Sequence, residues 1–179
     1  MQKDLVDVVV DKWQEELPEL DPSGYEIVAR ISRLGKLLEE SASRELSRYG
    51  MALWQFDMLA TLYRHGMPYR LSPGQLAKAS LLTSGAMTNR IDRLEQKGLI
   101  VREAHPKDRR GVLVRLTPAG RKLIREVVEA RFTEASRWGE ALSGRERQTL
   151  KRLLRKLLIT RPSRNVVFSE IDAAEKSTA

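Results

Sequence analysis

Residues 72–117 constrain this chain more tightly than any other part of it. Ser72-Pro73 opens a helix, with a hydroxyl at the cap and proline where its missing amide hydrogen costs nothing. After a turn at 80–82, Thr83 or Ser84 caps a second helix, and Gly98 stops it in the left-handed position that glycine tolerates. Residues 99–103 and 112–116 are then rich in β-formers. Between them, His105 to Gly111 is read as a turn that carries Lys107, Asp108, Arg109 and Arg110. A helix pair followed by a basic β hairpin is the winged helix-turn-helix pattern, and it makes double-stranded DNA the first partner to consider.

Charge supports that partner. The chain carries 32 basic and 24 acidic residues, a net +8, which favours an anionic partner without identifying it. Residues 84–125 hold eleven basic and four acidic side chains, so nearly the whole excess is assigned to the DNA-reading segment. Within the second helix, Met87, Ile91 and Leu94 form the stripe for burial. The opposite side presents Gly85, Asn89, Asp92, Arg93 and Gln96, with Ser84 and Thr88 on its flank. The residues expected to touch DNA are therefore Thr83, Ser84, Thr88, Asn89 and Arg93, with Lys107, Asp108, Arg109 and Arg110 from the wing. Asp108 is out of place against a polyanion unless it holds a neighbouring guanidinium in position.

The rest of the chain reads as helix. Leu5, Val8, Val9 and Trp13 give residues 1–19 a short amphipathic helix. Residues 20–50 and 118–160 form long helices with more apolar surface than one small core needs, and a two-fold homodimer built from them is the economical solution. Residues 51–117 form the DNA-binding region, and 161–179 a polar tail. The fold class is thus mainly α with a small β wing.

Other functions find little support. The chain has no cysteine, which excludes disulfides and thiolate chemistry. Its two histidines, His65 and His105, lack metal-ligand spacing, and no glycine-rich phosphate loop is present, so neither an enzyme nor a cofactor is expected. The apolar run at 5–10 is too short for a leader, and nothing approaches the roughly 20 apolar residues of a membrane span. The expected setting is cytoplasmic, without a membrane partner.

Three segments carry a family resemblance: 71–77 (LSPGQLA), 89–100 (NRIDRLEQKGLI) and 108–118 (DRRGVLVRLTP). Over about residues 25–158 the chain resembles the MarR family of bacterial transcriptional regulators. The resemblance implies a homodimer that binds palindromic promoter DNA, usually as a repressor, with Asp108 orienting Arg110 into the minor groove. The helix bearing Trp13, the 54–58 segment (WQFDM) and the approach to the wing (REAHP) resemble the urate-responsive HucR/PecS subgroup. That narrower resemblance implies a small anionic effector, urate or a relative, at Trp13, Asp57, Arg90 and Arg102.

The residue types suit such a ligand. Asp57 lies among Leu53, Trp54, Phe56 and Ala60, a carboxylate beside apolar surface that needs a cation. Arg90 sits about 65° from the centre of the buried stripe, free to turn inward. Two guanidiniums match a planar anion with several carbonyl oxygens, and an indole covers its face. A purely structural reading stands beside this one, with Asp57 salt-bridged to Arg102, Arg90 on phosphate and Trp13 in core packing. The two are compatible, because a ligand would replace that salt bridge while drawing Arg90 and the reading helix with it. Two alternatives remain open at this level: the same regulator sensing a phenolic or other ligand, and a ligand-independent architectural DNA-binding protein.

Overall fold

A computed structural model describes residues 2–80, 84–106 and 108–160; the side chains of Ser84, Arg109 and Arg110 fall outside that description. The described elements run α1 (Leu5–Glu16), α2 (Ser23–Ser47), α3 (Leu53–Arg64), β1 (Arg70–Leu71), α4 (Pro73–Ser80), α5 (Ser84–Gln96), β2 (Ile100–His105), β3 (Asp108–Leu116), α6 (Pro118–Trp138) and α7 (Gly144–Thr160). They fall into two compact units, Met1–Arg44 and Glu45–Ala179, with the division inside α2. The polar tail from residue 161 lies outside the described residues.

In the first unit, Asp4 caps α1 by accepting the Val6 and Asp7 amides at 2.7 and 3.0 Å, while Asp7 returns the bond to the Asp4 amide at 2.8 Å. Arg30 of α2 grips the same cap, reaching Asp4 at 2.9 Å and Asp7 at 2.5 Å. This fixes the rotation of α1 and corrects the sequence expectation. Val6 and Val10 are the buried pair, whereas Leu5, Val8 and Trp13 are 51, 43 and 54% exposed.

The second unit holds the winged helix-turn-helix. Ser72 caps α4 by accepting the Gln75 amide at 3.2 Å, and Gln75 accepts the Ser72 amide at 2.7 Å. Gly98 ends α5 at φ +67°, as a helix stop before a returning strand requires. Thr117 caps α6 by accepting the Gly120 amide at 3.0 Å, and its hydroxyl donates to the Gly98 carbonyl at 2.7 Å. The start of α6 is thereby tied to the end of α5. Gly120 lies so close to β2 that an added Cβ would sit 1.9 Å from the Leu99 carbonyl oxygen.

One core joins these elements. Met58, Leu59 and Leu62 of α3, Leu71, Leu76, Met87, Ile91, Leu94, Ile100, Val114 and Ile124 are essentially inaccessible. Each such side chain contributes roughly 1.5–3 kcal/mol by leaving water. The stripe expected for α5, Met87, Ile91 and Leu94, is the one buried.

The sheet differs from the expectation in two respects. It has a third strand, β1, whose two residues pair with β3 and give the order β1-β3-β2. The hairpin strands are also longer than read. β3 begins at Asp108, so Arg109 and Arg110 belong to a strand and not to the turn. His105 pairs with Asp108 across a bulge, and cross-strand hydrogen bonding outweighs the turn chemistry of the intervening residues. Helix α7 starts with the reciprocal Ser143–Glu146 cap, and every residue from Gly144 to Thr160 is exposed. No helix among the described residues is long and apolar enough to cross a membrane.

Candidate nucleic-acid interface and effector site

Seated by its three buried side chains, α5 presents Gly85, Ala86, Thr88, Asn89, Arg93 and Gln96 to solvent. Thr88, Asn89 and Arg93 are thus accessible as expected. Ser84 heads the helix, while Thr83 and Lys107 lie outside the described residues. Asp108 is exposed at the start of β3, and Arg109 and Arg110 follow it on that strand. The expected Asp108–Arg110 contact falls outside the description.

The basic excess is less concentrated on this surface than the sequence suggests. Arg115 is paired with Glu103 at 2.6 Å across the hairpin. Arg121, Lys122 and Arg125 belong to α6, beyond the far end of β3. The strand's eight residue steps at about 3.3 Å put that end roughly 26 Å from the wing turn. There Tyr63 stacks on Tyr69 at 5.5 Å, and the Arg121 guanidinium sits 5.6 Å from the Tyr69 ring centre. Among the described residues of that stretch, Arg93 and Lys97 are the basic side chains left exposed near α5.

Arg90 and Arg102 are half-buried and engage protein partners on different flanks of α5. The Arg90 guanidinium lies over the Trp54 ring, 5.3 Å from its centre. Trp54 and Asp57 are one turn apart on α3, so the ring and the carboxylate share a face. Partial burial raises the Asp57 carboxyl above its ordinary range, while the charges of Arg64, Arg90 and Arg131 pull it down.

On the other flank, Arg102 does not bridge to Asp57. Its guanidinium binds Asp92 and Glu95, both on α5, and its amide donates to Glu95 at 2.9 Å. Burial opposes its charge, but the two carboxylates outweigh burial and hold the guanidinium more strongly protonated than usual. The reason is geometric. Gly98 turns the chain straight back, so β2 runs beside the helix it has just left, and two carboxylates spaced three apart face it.

The charge of Arg90 therefore bears on Asp57, while Arg102, on β2, is tied through Asp92 and Glu95 to the helix that carries Arg90. Trp13 belongs to the first unit, where it lines a groove of about 410 Å³ with Val10, Leu17 and Tyr25. Sequence reasoning missed Arg64 and Arg131 as cations facing Asp57, and Asp92 and Glu95 as partners of Arg102. It also missed Trp54 as the platform for Arg90, although the spacing of Trp54 and Asp57 on one helix was a usable signal.

Known proteins resemble this chain in sequence and in fold. The MarR family profile matches residues 49–111, the span from the start of α3 into the wing. The transcriptional regulator PecS of Dickeya dadantii is 38% identical over 121 residues, covering 68% of this chain and 73% of its own. The chain belongs to the MarR family. As a member it is a DNA-binding transcriptional regulator with a winged helix. Its fold matches E. coli MarR carrying a C80S change in complex with operator DNA, at 25% identity and a TM-score of 0.64 over 87% of this chain and 99% of that one. It also matches S. aureus MepR in a DNA complex, at 25% identity and a TM-score of 0.66 over 75% and 97%.

Proposed function

We propose that this MarR-family protein is a dimeric repressor of a palindromic promoter site, released when urate or a related planar anion binds beside α5. The observation that carries the effector reading is the position of Arg90: a recognition-helix cation laid over Trp54, whose charge bears on Asp57. An anion that takes Arg90 competes with Asp57. One that takes Arg102 competes with Asp92 and Glu95. Either exchange alters the ties that set the position of α5, and a ligand that prefers the shifted helix weakens DNA binding.

Dimerisation is supported by unpartnered apolar stripes. Leu150, Leu153, Leu154 and Leu157 of α7 are 40–46% exposed at helical spacing. In α2, Ile27, Ile31, Leu34 and Leu38 form a second stripe. Exposed apolar surface of this kind calls for a covering partner, and a second copy supplies it with two-fold symmetry. Each copy then offers one α5 to a half-site, with centres about 10–10.5 base pairs apart.

Sedimentation and fluorescence anisotropy test this together. The expected result is a dimer at micromolar concentration that binds a full palindrome far more tightly than an isolated half-site and loses affinity as urate is added. A monomer, or equal affinity for half and full sites, overturns the dimeric reading. A thermal shift series with urate and with phenolic compounds decides the ligand class, since only a compound that binds the folded state raises the melting temperature.

A further inference from the structure

Arg131 lies in the middle of α6 and binds Glu134 through a terminal nitrogen. Glu134 is buried, and its other oxygen accepts the Trp138 indole N–H at 2.9 Å. That arrangement leaves the Nε–H of Arg131 buried with no acceptor among the described residues. A buried donor without a partner is costly and uncommon, and on a charged group more so. Arg131 is also one of three guanidiniums, with Arg64 of α3 and Arg90 of α5, whose charges bear on Asp57. Three helices thus direct positive charge at one carboxylate, and the α6 contribution carries a donor that no described residue satisfies.

We infer that Arg131 is a further effector-binding residue, whose Nε–H is held for an oxygen of the same planar anion that Arg90 takes. This rests on the effector-site reading above. It gives the ligand a hold on α6 as well as α5, and it asks for at least two acceptor oxygens set apart on one ring. Urate has them. A ring without in-plane oxyanion character leaves the Nε–H unsatisfied and binds poorly.

The test is calorimetric titration of urate into the wild-type protein, Arg131→Lys, Glu134→Gln and Arg90→Ala. Arg131→Lys keeps a cation beside Glu134 but has no Nε–H donor, and it is expected to lose roughly tenfold or more in urate affinity. Glu134→Gln frees the guanidinium from its carboxylate, and it is expected to bind urate at least as tightly as the wild type. Normal urate binding by Arg131→Lys, alongside loss in Arg90→Ala, makes Arg131 a structural partner of Glu134 and overturns the inference while the site stands. Should Arg131→Lys not fold, weakened binding in Glu134→Gln overturns it instead. Failure of the wild type to bind urate, or indifference of all three variants, removes the effector-site reading itself.

Discussion

Replacing Arg102 with alanine tests the claim that β2 holds α5 by charge. The guanidinium spans Asp92 and Glu95, and the three side chains are 32, 48 and 35% exposed, so solvent screens both pairs in part. Partly exposed ion pairs contribute about 0.2–1 kcal/mol each. Their loss also leaves two carboxylates three residues apart with no cation between them, which adds a few tenths of a kcal/mol of repulsion. The expected cost is therefore about 1–2 kcal/mol. For a chain of this size that corresponds to a fall of roughly 2–8 °C in melting temperature. Thermal melts of both proteins at low salt should show the gap. At about 1 M salt, where the Debye length shrinks to about 3 Å, most of it should close. Melts that coincide at low salt refute the reasoning. So does a gap that salt leaves unchanged, because it would come from lost packing and not from charge.

Other perturbations reach other parts of the account. Asp4 and Asp57 should titrate by NMR on opposite sides of their ordinary 3.8, because the Asp7 amide and Arg30 stabilise the Asp4 carboxylate while burial disfavours that of Asp57. Stability from Asp4 is present above 3.8 and is lost as pH falls through its folded midpoint. That from Asp57 declines as pH rises from 3.8 through its own, and midpoints on one side would contradict both. Gly120→Ala pushes a methyl into the Leu99 carbonyl and should cost about 1–3 kcal/mol in a denaturant titration; an unchanged midpoint would mean α6 and β2 are less closely tied than they look. Lys107→Ala should weaken all DNA sequences alike and reduce the salt slope by about one unit, whereas Arg110→Ala should weaken operator binding by about 1–3 kcal/mol and relax preference at flanking A·T positions. Identical behaviour of the two across operator variants would make the wing an electrostatic clamp alone.

Helix boundaries were the legible part of this fold, because caps are local chemistry. Ser72, Thr117 and Ser143 each announce a helix start within four residues, and each accepts the amide hydrogen bond its pattern implies. The buried face of α5 was legible for the same reason, since three apolar residues at helical spacing admit one face. What escaped was set by partners distant in sequence. β1 is two residues long and exists only because β3 is beside it. The face of α1 was misread because several apolar stripes compete there, and Arg30, 26 residues from Asp4, selects among them. Arg102 was assigned to Asp57 although nearer carboxylates, Asp92 and Glu95, lay on the helix that β2 turns back along. Charge counted along the chain likewise placed Arg121, Lys122 and Arg125 with the wing, when a full strand separates them from it.

Reciprocal linkage between urate and operator tests the central claim most directly. Urate affinity is measured by calorimetry for the free protein and for the protein saturated with operator DNA, and operator affinity by anisotropy with and without saturating urate. If the anion acts by moving α5, each ligand weakens the other by the same factor, on the order of 5–150-fold. Urate that binds equally well with operator present, leaving operator affinity untouched, would show that the ties of Arg90 and Arg102 to α5's surroundings do not govern DNA binding.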